Sequence, residues 1–307
     1  MADDNIVRTY GDVSKRESVL SLVTILTAEE KGITSMLGTT KAISTTHSTQ
    51  LDTLKTPGSS AVAEGASYTN LARTTPTRLT NVLEIVAIPF SVSRTEQAVQ
   101  HYNGENELSR QTKKGLMEYA NDVEFDLVRS TLVSGISGAV PKMNGLIAHI
   151  SKSSNTTAQT SGTVWSASIM KGLMKANMDN SNGNVATDIF LGSFLKDLTD
   201  NFTNKVNTVS TGTNVREVVQ VVDIFETGLG KLKTHYHRYV QVAGTDLTGR
   251  VLAIRPDVHQ VAYLEEPYVD KDLARTGPAD NYAVTGTMTL ATRNQDSNFF
   301  ASGYSLV

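Results

Sequence analysis

Apolar and polar positions along this chain follow two periods. Leu108, Thr112, Leu116, Tyr119, Val123, Leu127 and Thr131 recur at three- and four-residue steps, the spacing that lines up one face of an α-helix. The pattern predicts a helix over residues 105–133. Asn103 can cap it, Glu105 and Glu107 lie in the first turn where the helix dipole favours anions, and Ser134-Gly135 closes it. At the α-helical rise it would be about 40 Å long. Leu116, Tyr119, Val123 and Leu127 are its expected core residues, each contributing about 1.5–3 kcal/mol on burial. Residues 86–92 switch to period two, with Val86, Ile88, Phe90 and Val92 alternating with Ala87, Pro89 and Ser91. That predicts a strand with one buried face, at a sheet edge or bulge because Pro89 has no N–H to donate.

Downstream, Trp165 precedes a helix over 166–178, with Ile169 and Leu173 on one side and Met170, Met174 and Met178 on another. The methionines read as core. A buried strand over 188–192, a helix over 193–202 capped by Ser193, and strands over 215–227, 231–242, 251–254 and 282–292 complete the pattern. Gly228-Leu229-Gly230 marks a hairpin turn between two of these strands. A long helix with a mixed sheet is an α+β fold. Residues 1–49 hold too few large apolar residues to close a core and read as an arm. Residues 51–80 contain Thr56-Pro57-Gly58-Ser59-Ser60, Glu64-Gly65-Ala66 and Thr75-Pro76. So long an irregular stretch inside a compact domain suggests an extended hairpin arm that packs on something else.

Composition narrows the chemistry. The 307 residues are 39% hydrophobic with net charge −3, enough for a core and without the basic excess of a chain that grips DNA. Thr occurs 38 times, which favours half-exposed strands. Cysteine is absent, so disulfides, thiolate metal sites and Cys nucleophiles are excluded. The apolar run at 19–26 is too short and too interrupted to span a membrane or serve as a signal peptide, so a cytoplasmic product is expected.

His235 and His237 share one strand face and could begin a zinc site, but Lys231 and Lys233 lie on that face and no further ligand cluster follows. A solvated or inter-subunit face is the expectation, with a metal-binding enzyme using His235 and His237 as the alternative. Gly228-Leu229-Gly230-Lys231 lacks a phosphate-loop pattern, and 177–188 matches a calcium loop in composition only. The adjacent pairs Glu29-Glu30 and Glu265-Glu266 diverge in direction, and no G-x-S-x-G elbow exists. The acceptor patterns at Asn155 and Asn201 matter only in a secreted protein. No catalytic residue, metal or cofactor is expected.

Several stretches together resemble the major capsid proteins of tailed bacteriophages, the shell-forming fold first described for the Hong Kong ninety-seven phage. Glu64-Gly65-Ala66, Arg78-Leu79-Thr80-Asn81-Val82 and Val92-Ser93-Arg94-Thr95 resemble its extended loop and return strand. Glu107-Leu108, Lys113-Lys114-Gly115 and Val123-Glu124 resemble its spine helix. Val222-Asp223-Ile224-Phe225-Glu226 with Gly230-Lys231-Leu232-Lys233, Leu273-Ala274-Arg275-Thr276-Gly277 and Thr287-Met288-Thr289-Leu290 resemble segments of one subgroup. The His235-Tyr236-His237 segment departs from the Pro-Asn-Arg-like run of similar sequences, and no crosslinking Lys–Asn pair is assigned.

The resemblance implies an N-terminal arm (1–49), an extended loop (50–95), a peripheral domain with the spine helix (96–164), an axial domain (165–252) and a return to the peripheral domain (253–307). It implies a structural, non-enzymatic subunit that tiles as hexamers and pentamers into an icosahedral shell around double-stranded DNA. Glu64, Tyr68, Arg73 and Arg78 would meet neighbouring subunits. Partners would be identical subunits, packaged DNA, a portal protein, a separate scaffold and a decoration protein, with no membrane. Assembly would take place in the host bacterial cytoplasm. An encapsulin-like nanocompartment shell is the alternative within the fold; a tail or decoration protein is a further one.

Overall fold

The computed structural model describes residues 32–55, 57–67, 73–99, 106–150, 156–180, 185–202, 207–211, 215–219, 223–242, 246–271, 273–274 and 277–306. Strands β1 (Gly38–Lys41), β2 (Thr46–Leu51), β3 (Thr77–Val82) and β4 (Glu84–Ser93) lead into helices α1 (Arg94–Ala98), α2 (Glu107–Arg129) and α3 (Leu146–Ile150). Next come β5 (Thr156–Thr163), α4 (Ala167–Asn180), β6 (Asp188–Leu191), α5 (Ser193–Asp200), β7 (Asn207–Thr211) and β8 (Val215–Val219). The chain closes with β9 (Ile224–Thr227), β10 (Gly230–Tyr236), β11 (Gly249–Ile254), β12 (His259–Asp270), β13 (Ala279–Thr292) and β14 (Phe299–Tyr304).

Helix α2 crosses a four-stranded sheet ordered β1-β12-β13-β4. Gly115, Tyr119, Val123 and Leu127 form its buried line at a strict four-residue step. A Cβ at Gly115 would lie 3.2 Å from Val284 and 3.6 Å from Phe90, so the missing side chain is what lets helix and sheet approach. That seam corrects the expectation for Leu116. One position round the helix from Gly115, it points outward and is 43% exposed. The helix starts later than the pattern suggested, with the Asn106 side chain accepting from Leu108 N at 2.9 Å; Asn103 and Glu105 lie outside the described residues. It also ends earlier. Ser130 is extended and its carbonyl accepts from Gly145 N at 2.8 Å, while Val133 bridges to Lys142 instead of adding a turn.

Strand β4 alternates as expected and forms a sheet edge, where Pro89 removes no ladder donor that a neighbour needs. It pairs with β13 and belongs to the body, so it is not the return strand of the hairpin arm. The hairpin is β2 with β3, paired from Thr46↔Val82 to Leu51↔Thr77.

In a six-stranded mixed sheet, ordered β5-β14-β11-β6-β10-β9, the central strands β11 and β6 are buried on both faces. Phe190, Leu252, Ile254 and Phe300 point into the core under α2. Their neighbours Ile189, Leu191, Val251, Ala253, Phe299 and Ala301 point into a second core with Trp165, Met170, Met174 and Leu195. One sheet therefore divides two cores through the period of two that every strand imposes. Because β14 completes this sheet, the segment expected to return wholly to the α2 body contributes to the second core as well. Sequence 215–227 forms two strands: β8 pairs with β7, and β9 pairs with β10 through the Gly228-Leu229 turn. Helix α5 is capped at Gly192, with Ser193 its first residue. Strand β12, broken by two register shifts around Glu265, was masked in the sequence by Glu265-Glu266-Pro267.

Candidate functional site: the projecting hairpin and its root

The hairpin leaves the body at Asn81, a residue that is 3% exposed. Its amide nitrogen donates to Asn144 O at 3.0 Å and Leu290 O at 2.9 Å, and its amide oxygen accepts from Asn144 N at 2.7 Å and Val82 N at 2.9 Å. Thr289 Oγ1 donates to Val82 O at 2.8 Å, and Leu83 N to Thr45 O at 3.0 Å. Leu83 and Ala42 close a small core with Ala262 and Ala291. The root is thus held by buried hydrogen bonds on two sides of the chain, which fixes where the arm starts.

Beyond the rungs the character reverses. Residues 52–55 and 57–67 are exposed throughout, including Leu54 at 96%. Among the described loop residues a turn forms at 63–66: Ala66 N donates to Ala63 O at 3.1 Å, and Gly65 takes φ +80. Glycine at that position of a type II turn places Glu64 at the exposed corner. Arg73 is exposed, and Arg78 sits exposed on β3 opposite Gln50. Tyr68 lies outside the described residues. The structure therefore sets Glu64, Arg73 and Arg78 on one projecting arm and does not bring them into a pocket.

Residues 32–37, between the N-terminal segment and β1, are clasped by α2. Glu124 is fully buried and accepts from Ile33 N at 2.7 Å, Thr34 N at 2.9 Å and the Thr34 hydroxyl, and it pairs with His237 Nε2 at 2.8 Å. Burial alone would raise the Glu124 carboxyl, but these hydrogen bonds outweigh it and hold the group below the ordinary glutamate range. The expectation of a shared, solvated His235/His237 face is overturned. β10 ends at Tyr236, so the chain turns and His237 enters the core. His235 instead stacks on Phe190 and pairs with Asp188 at 3.0 Å. Among the described residues no cluster of three His or acidic groups suited to a metal is present.

A second, half-buried acid on the same helix went unread in the sequence. Burial, followed by the charge of Glu84, pushes Asp126 up to about 7, with Lys142 opposing and Asp122 adding to the shift. Glu84 itself is raised by burial despite accepting from Met143 N at 3.1 Å. The folded chain therefore keeps a proton that unfolded Asp126, with its ordinary value of 3.8, has released. Stability supplied by this site is full below 3.8 and declines as pH rises to about 7. Asp126→Asn, which mimics the protonated state, should melt increasingly above the wild type across that window when unassembled subunits are followed by circular dichroism. A difference in melting temperature that is constant with pH would contradict the assignment.

A long helix crossing an edge-exposed sheet, a rooted hairpin carrying an exposed loop, and a second body around a mixed sheet describe a subunit built to be covered by others. The sequence model of the SU10 major capsid protein matches residues 6–305. The chain belongs to that family. Solved structures agree in fold. The capsid of a native GTA particle superposes with TM-score 0.68 at 9% identity, covering 99% of this chain and 100% of that one. The capsid of Myoviridae phage XM1 gives 0.64 at 11%, covering 98% and 100%. The holo-SrpI encapsulin complex from Synechococcus elongatus PCC 7942 gives 0.64 at 10%, covering 98% and 97%. No curated protein sequence matches significantly. This major capsid protein is therefore a structural, shell-forming subunit of a phage virion with the Hong Kong ninety-seven type fold. The encapsulin shares the fold; membership of the capsid family separates the two roles.

Proposed function

We propose that this capsid protein assembles as rings of six and of five copies into an icosahedral shell enclosing double-stranded DNA, each subunit laying its hairpin and residues 52–76 over a neighbour. The observation that carries the proposal is that the described residues of the loop are exposed throughout, with Leu54 and Val62 at their surface. Apolar side chains on an arm that its own subunit leaves uncovered gain by burial against another copy. Glu64, Tyr68, Arg73 and Arg78 are the proposed contact residues. Ring closure multiplies weak contacts, since every copy both gives and receives an arm. A net charge of −3 suits a wall that contains DNA without binding it tightly. A portal protein, a separate scaffold and a decoration protein are the further partners proposed, with assembly in the host cytoplasm. The subunit performs no catalysis in this role.

Negative-stain microscopy of the expressed protein should show closed shells, with nucleic acid recovered from virions. Monomers alone under all assembly conditions would overturn the proposal, and shells loaded with a protein cargo would point to an encapsulin-like role.

A further inference from the structure

A cavity of about 590 Å³ opens between the first turns of α2 and the far end of the four-stranded sheet. Half-buried Leu108, Val269 and Tyr282 give it an apolar base, and exposed Lys113 and Lys271 stand at its mouth. Among the described residues Lys271 forms no ion pair. The N-terminal end of a 23-residue helix adds partial positive charge. Glu107 in that turn offsets little of it, because it is bound to Arg110 Nε at 2.8 Å. The cavity therefore favours a short segment with one carboxylate and an apolar neighbour.

Such a segment exists on the same chain. The 63–66 turn holds Glu64 at its corner, two residues after exposed Val62. In the structure this turn is exposed and does not line its own chain's cavity. The hairpin is rooted where Asn81 meets Leu290, whereas Tyr282 lies toward the opposite end of β13, about 27 Å along the strand. We propose that the Glu64 turn of a second copy docks in this cavity, with its carboxylate between Lys113 and Lys271 and Val62 on the apolar base. This deepens the arm-over-neighbour reading and rests on it. A turn closed by its own backbone hydrogen bond, with a carboxylate at its corner and Val62 beside it, also sets register.

Charge reversal tests the pairing. Glu64→Lys and Lys271→Glu should each lower the yield of shells by about tenfold or more, measured by sedimentation and microscopy. Both sites are exposed, so circular dichroism of the subunits should remain unchanged. The double variant should recover assembly. Single reversals that assemble normally, or a double variant no better than the singles, overturn the pairing. Deleting residues 56–75 separates the two levels. A deletion that still assembles defeats the arm reading itself, whereas a deletion that blocks assembly beside a harmless Glu64→Lys defeats only the docking site.

Discussion

Removing residues 56–75 is expected to leave a soluble, cooperatively melting subunit that no longer builds stable shells. The described loop residues are exposed throughout, so their loss removes no intramolecular core contact. The six rungs between β2 and β3 and the Asn81 root remain. Loop closure entropy changes only slowly with loop length, by about 0.6 kcal/mol per doubling. Folding should therefore be nearly indifferent to the deletion. Assembly should not be, because each copy loses the contact it makes on its neighbour and the one it receives. Thermal melts combined with sedimentation velocity read the two consequences separately. Heat-resistant particles of normal size from the deletion would refute the role of the loop.

Val123→Asp should abolish folding. Val123 is 4% exposed and packs in the core that includes Tyr119, Leu127, Val284 and Met288. A carboxylate there would sit within a few residues of Asp122, Glu124 and Asp126, where burial and then the charge of Glu84 already push the Asp126 carboxyl up. An unpaired buried charge is among the few changes that cost more than about 4 kcal/mol, against a whole-domain stability of about 5–15 kcal/mol. The protein should accumulate as insoluble material. Leu116→Asp is the matched control: it lies on the outward side of the same helix and should cost about 1 kcal/mol or less. A soluble, cooperatively melting Val123→Asp would mean that this stripe is not core.

Periodicity alone located α2, β4, β6, β11 and most of β13, because each has a buried face that repeats at its own period. It failed where burial was decided by partners distant in sequence. Leu116 matched the helical spacing, but Gly115 takes the seam because Phe90 and Val284 press closest there. β12 was hidden because its outer half, from Leu264 to Tyr268, is exposed and holds two glutamates and a proline. Glu124 stands beside the apolar stripe in sequence, and nothing in the periodicity marks it as buried. Only the fold shows that Ile33, Thr34 and His237 converge on it from positions up to 113 residues away. The hairpin's irregular loop was legible from its turn residues, but its root was not, since Asn81 acts through Asn144 and Leu290.

The sheet that separates the two cores has a mechanical consequence. Residues on opposite sides of one backbone cannot slide past each other without tearing strands from both interiors, so the two bodies behave as a single stiff tile. Differences in curvature from one place in a curved wall to another must then be absorbed outside that tile. In the proposed assembly the arm beyond the Asn81 anchorage is the part left to take them up, which would make it a joint as well as a strap.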